Sequence, residues 1–164
     1  RKFFEGEVDF FAAQYGDVPP DVAGRDVIMV DFSYKRPVID AMAVDARTIL
    51  ILDHHKTAQE DLASFPWVSG RYSPEGMLVY KDEIGAPVAV HAVFDMERSG
   101  AGLAWDFFFP ASPRPRLINH VEDRDLWRFN LSGPRQVQSC VVSHPFDFEV
   151  WDRLMERAER AQGP

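Results

Sequence analysis

Apolar residues in this chain fall into two kinds of spacing. Residues 26–32 (DVIMVDF) and 48–52 (TILIL) are short, nearly unbroken apolar runs, the pattern of strands buried on both faces of a parallel sheet. Residues 87–94 (PVAVHAVF) form a third such run, followed at once by Asp95. Between the first two, Pro37 opens a predicted helix through Ala46, with Val38, Ile39, Met42 and Ala43 at helical spacing and proline in the first turn, where its missing N–H costs nothing. Residues 57–65 predict a short helix stopped by Pro66.

The flanks are read in the same way. Residues 8–15 (VDFFAAQY) predict a short aromatic-bearing strand, and the Pro, Gly and Asp of residues 16–24 predict a loop. Residues 68–85 carry Gly, Ser, Pro and Tyr and suggest a loop or hairpin insert. Ser99 is a suitable N-cap for a helix running to Phe109. Prolines within residues 110–115 break the chain, and a helix resumes over residues 117–129. Residues 134–143 and 146–161 predict two more helices. In the last, Phe148, Trp151, Leu154, Met155 and Ala158 form one apolar stripe.

Buried strands alternating with helices predict an α/β fold, three-layered, with a mainly parallel sheet flanked by helices. Ligands of such sheets sit beyond the carboxyl ends of the strands. Asp31 and Asp53 end the first two apolar runs and Asp95 follows the third, so acids gather at that edge. The chain shows no internal repeat and no low-complexity segment.

Composition narrows the function. The 164 residues suit one domain or one domain and the start of another, and at 46% hydrophobic they can bury a core without disulfides. We expect a domain over residues 1–133 and a helical segment over 134–164. The single cysteine, Cys140, forbids an intramolecular disulfide and fits a reducing cytoplasm. A net charge of −8 weighs against a grip on long nucleic acid, which takes a basic face; Arg114, Arg116, Arg124 and Arg128 make only a loose cluster. Small phosphorylated substrates remain open to an acidic protein whose carboxylates are neutralised by metal ions. No apolar run approaches the ~20 residues of a membrane helix. Nothing in the sequence speaks to an oligomeric state.

Asp53-His54-His55 directly follows the TILIL run. Adjacent imidazoles at a strand's carboxyl end can divide two tasks, one binding a metal and the other donating to a phosphate oxygen. The preceding carboxylate can fix an imidazole's tautomer. The bland alternative is a histidine-rich turn with a capping Asp. Asp31 carries two oxygens and can bridge two cations of the kind that phosphoryl chemistry uses, ~3.5–4 Å apart; the alternative is a cap for the following turn. In His120-Val-Glu-Asp-Arg-Asp-Leu-Trp, apolar neighbours draw part of a charge run inward, and buried acids need partners. Asp123, which shares a helical face with Trp127, is a candidate ligand, with Asp125 and His120 in reserve. A solvated helix face explains the same run.

Ser99 and Gly100 open a helix after a strand and offer free N–H groups to a substrate anion, although N-capping alone accounts for them. His91 and His144 suit packing or surface roles, and Cys140 has no neighbouring acid or histidine in the sequence to make it a nucleophile.

Taken together, VDFS, LDHHKTA, SGAGLAWDFF and HVEDRDLW, in that order over residues 26–129, resemble the DHH phosphoesterase superfamily. It includes single-strand exonucleases, oligoribonucleases, cyclic-dinucleotide phosphodiesterases, exopolyphosphatases and manganese-dependent pyrophosphatases. LDHHKTA is the specific element. The resemblance implies two divalent ions, Mn2+ first and Mg2+ or Co2+ as alternatives. It makes Asp31 the bridging ligand, His54 a ligand, His55 the group facing the substrate phosphate, Asp53 its support, and Asp123 the fourth-motif aspartate. The family's first motif, His-x-Asp-x-Asp-Gly, is not found in these residues, and its opening strand is expected before Arg1. The Gly-Gly-His signature of the C-terminal substrate domain is not found either. The expected activity is hydrolysis of phosphodiester or phosphoanhydride bonds in a small nucleotide or short oligonucleotide. The alternative is a catalytically incomplete module of the same fold, kept for binding or assembly.

Overall fold

A computed structural model describes residues 8–63, 90–145 and 147–160. The expected insert at 68–85, the end of the helix at 57–65 and the start of the strand at 87–94 lie outside the described residues.

The protein is α/β, with a parallel sheet flanked by helices. It divides into two compact units, Arg1–Met96 and Glu97–Pro164. The first holds β1 (Asp26–Val30), α1 (Arg36–Asp45), β2 (Thr48–Asp53), α2 (Lys56–Asp61) and β3 (Val90–Phe94). Its strands run parallel in the order β1-β2-β3, with Val30 beside Leu52 and Leu52 beside Val93. That register brings all three carboxyl ends to one edge. Every residue of β2 from Ile49 to Asp53 is buried, so both of its faces are shielded from water. This is why its sequence runs apolar without alternation. Ile39 and Met42 of α1 and Ala58 of α2 close over Ile49, Ile51, Ala92 and Phe94.

The second unit holds α3 (Gly100–Phe108), α4 (Arg116–Asp125), α5 (Pro134–Val142) and α6 (Phe148–Arg160). Leu117 of α4, Val141 of α5 and Leu154 of α6 form its core, ringed by Val137, Trp151, Met155 and Ala158. The division between the compact units falls at Met96/Glu97, whereas the sequence suggested a boundary at 133/134. The stripe on α6 closes onto α4, so the last two helices belong with the helix before them.

Two further expectations change. Residues 8–15 form no strand. Their polar backbone closes on a local turn instead, with the Gln14 N–H donating to the Asp17 carboxylate at 2.8 Å and the Asp17 N–H to the Gln14 carbonyl at 3.0 Å. The helix read over 117–129 ends at Asp125, and Trp127 and Phe129 take left-handed backbone angles (φ 55° and 50°). Trp127 is 80% exposed and shares no face with Asp123. Among the described residues no helix is long and apolar enough to cross a membrane.

Candidate metal centre

The carboxyl ends of β1 and β2 build the site. Just past β1, the Asp31 N–H donates to the Leu52 carbonyl at 2.9 Å, extending the ladder by one bond before the chain leaves the sheet. Asp31 then turns left-handed (φ 58°), a conformation that Asp tolerates better than most residues. Asp53 is the last residue of β2, fully buried, and its carbonyl accepts from the Asp95 N–H at 3.3 Å. His54 and His55 follow, His55 in extended backbone as the N-cap of α2.

The side chains converge. His54 Nε2 lies 3.0 Å from Asp31 Oδ1, and the two imidazole rings stand 4.7 Å apart. Asp53 Oδ1 accepts from the backbone N–H of His54 at 2.8 Å, from that of His55 at 3.3 Å, and from His55 Nδ1 at 2.7 Å. A carboxylate acceptor puts the proton on Nδ1 and leaves Nε2 as the nitrogen that can ligate a cation or, once protonated, donate to an anion. One ligand atom from each of Asp31, His54 and His55 lies within 4.8 Å of the others.

One oxygen and two imidazole nitrogens suit a borderline divalent ion. Asp53 Oδ2 is buried and has no hydrogen-bond partner among the described residues. A buried carboxylate oxygen left so is costly, and a nearby cation offsets that cost. The residues present therefore fit a metal ion.

Tyr15 is a neighbour that no motif announces. Its phenol is pushed above the usual value by burial first, and then by the charges of Asp53 and Asp31. That places it in their field although it precedes the strand that carries Asp31. A cavity of about 850 Å³ opens here, lined by Phe11, Tyr15, Phe32 and Tyr34 together with Asp31 and His55.

The other expected site residues lie in the second unit. The anion at the start of α3 is the protein's own. Ser99 is 1% exposed, its N–H donates to Glu122 Oε2 at 3.1 Å, and its hydroxyl accepts from the Gly102 N–H at 3.0 Å. The Ser99 N–H and hydroxyl, expected to face a substrate anion, are thus engaged within the protein. They form a cap whose anion site Glu122 fills, and a Cβ at position 102 would overlap that carboxylate. Glu122 in turn accepts from Arg114 Nη1 at 2.7 Å, and Arg114 Nε donates to Asp106 Oδ1 at 2.6 Å. Asp106 is held below the usual carboxylate range, foremost by that hydrogen bond.

Asp123 is buried on α4, and its two oxygens accept from the Asn130 and Leu131 N–H groups at 2.8 and 3.1 Å. This bond pair reverses the chain after the helix. His120 and Asp125 sit on the same helix, and His120 Nδ1 is buried with no hydrogen-bond partner among the described residues. Among those residues, the trio at the sheet edge is the one group of three that can hold a metal ion.

Comparison with known proteins adds little chemistry. No protein-family model matches the chain, and no solved structure matches it. An uncharacterized protein of Acanthamoeba polyphaga mimivirus is 30% identical over 135 residues, 82% of this chain. The chain spans 27% of the length of that relative.

Proposed function

We propose that this chain carries the metal-binding part of a divalent-metal-dependent phosphoesterase of the DHH type. It acts in the cytoplasm on phosphodiester or phosphoanhydride bonds of a small nucleotide or short oligonucleotide. The supporting observation is the 3.0 Å approach of His54 Nε2 to Asp31 Oδ1, two groups delivered by neighbouring strands to the carboxyl edge of a parallel sheet. Brought so close, a carboxylate and an imidazole can serve one cation.

In this reading Asp31 and His54 hold metal. When bound, two divalent ions, Mn2+ foremost, activate the phosphoryl group and neutralise its charge. Asp53 keeps the His55 proton on Nδ1 and fixes the ring's orientation. His55 Nε2 then faces the phosphoryl oxygens and, when protonated, donates to them.

Thermal unfolding in a Mn2+ titration tests the reading. Saturating Mn2+, about 100 times its Kd, is expected to raise the melting temperature by roughly 5–10 °C, and Asp31→Asn or His54→Ala is expected to abolish the rise. His55→Ala is expected to keep most of it and to lose phosphate binding. A melting temperature indifferent to Mn2+ points to a non-catalytic module.

A further inference from the structure

The turn joining α4 to α5 in the second unit holds large apolar side chains out in water. Trp127 is 80% exposed, Phe129 and Leu131 are each 40% exposed, and the Trp127 and Phe129 rings stand edge-on at 5.7 Å. A slack turn would fold such rings onto the nearest core, but this one is pinned. The Arg128 and Phe129 N–H groups donate to the Asp123 carbonyl at 2.9 and 3.3 Å, and the next two N–H groups donate to its carboxylate. Arg128 ties down the other side by donating to the Glu97 carbonyl at 2.7 Å. Trp127 and Phe129 are kept left-handed, a conformation costly for bulky side chains and retained only where the surroundings over-determine it. A contiguous apolar patch built so rigidly marks a surface that something covers.

Charge says what the cover is. Arg124 in the last turn of α4 and Arg135 in the first turn of α5 border the loop from either side, and both are exposed. Neither has an ion pair among the described residues. The start of α5 is moreover the helix end that disfavours a cation. In a chain with 26 acids against 18 Lys and Arg, guanidinium groups left without an acid stand out. Two of them flanking aromatic rings complement a short run of carboxylates beside an apolar side chain. They are too few to grip a nucleic-acid strand or an anionic bilayer, and a net charge of −8 repels both. Trp and Arg are also the side chains that carry most of the binding energy at protein interfaces.

We propose that the α4–α5 turn is a docking surface for an acidic peptide segment of a partner protein. An apolar side chain of that segment packs on Trp127 and Phe129, and its carboxylates pair with Arg124 and Arg135. The inference is independent of the metal-site reading.

The test is selection of random phage-displayed dodecapeptides on the full chain, followed by fluorescence anisotropy of the enriched peptides. These are expected to combine Asp or Glu with Phe, Trp or Leu. Trp127→Ala is expected to weaken them about tenfold or more, and the double variant Arg124→Glu, Arg135→Glu by a similar factor. The melting temperature is expected to hold in both variants. Trp127 is exposed, and in the pair an acid is disfavoured at the end of α4 and favoured at the start of α5. Enriched peptides that bind Trp127→Ala as tightly as the parent chain overturn the surface, and so does a selection that enriches no acidic peptide. Oligo(dT), or vesicles of equal parts phosphatidylcholine and phosphatidylserine, bound in a Trp127-dependent way in place of acidic peptides would overturn it in favour of a nucleic acid or a membrane.

Discussion

Asp106 and Glu122 in the second unit are answered by the guanidinium of Arg114, whereas Asp31 and Asp53 in the first meet imidazoles. A guanidinium has five donors and no lone pair to give, so a carboxylate paired with it is spent on structure. An imidazole can hand a lone pair to a cation, so a carboxylate beside it remains chemically useful. The orphaned Oδ2 of Asp53 adds to that contrast. The same residue type thus reads as scaffold in one unit and as site in the other. The partner decides which.

The contrast can be broken most forcefully in the first unit. Asp31→Ala is expected to weaken Mn2+ binding by about 100-fold or more, since even supporting residues of metal ligands are worth 10–100-fold. Asp106→Asn or Glu122→Gln should leave that affinity where it is, and calorimetry on the three variants checks both statements. In the second unit the largest effect belongs to Gly102→Ala. Its Cβ would overlap Glu122 Oε2 and dislodge the carboxylate from the start of α3, lowering stability by about 2–3 kcal/mol in chemical denaturation.

A smaller and pH-dependent effect sharpens the same point. The Asp106 carboxylate is held below its usual range by Arg114. Its folded value is therefore lower than its unfolded one. The stabilisation is fully present above the unfolded carboxylate value and is lost as pH falls through the folded one. Asp106→Asn is expected to cost about 1–2 kcal/mol near pH 7, the pair being only partly buried. That cost should shrink towards zero on acidification. A cost independent of pH would remove the ion pair from the explanation.

Much of the first unit was legible in the residues themselves. β1 and β2 announce themselves because strands buried on both faces need unbroken apolar runs, and the Asp-His-His turn stands out because it follows one of them directly. What escaped depends on partners far along the chain. Residues 8–15 carry strand-forming aromatics, but a strand exists only where another strand accepts its hydrogen bonds. Trp127 looked helical by spacing, yet the Asp123 carboxylate binds the Asn130 and Leu131 amides and turns the chain before it. Ser99 and Gly100 looked like an anion site, and they are one. The anion is Glu122, which no local pattern pairs with them. Tyr15 was invisible for the same reason, since its closeness to Asp31 and Asp53 arises only when the loop folds back over the sheet edge.

The most direct measurement is anomalous diffraction from crystals of the chain grown with Mn2+. A peak is expected within about 2–2.5 Å of both the Asp31 carboxylate and His54 Nε2. A bound ion that touches neither residue, or none at the sheet edge at saturating Mn2+, would contradict the assignment of that edge as a metal centre.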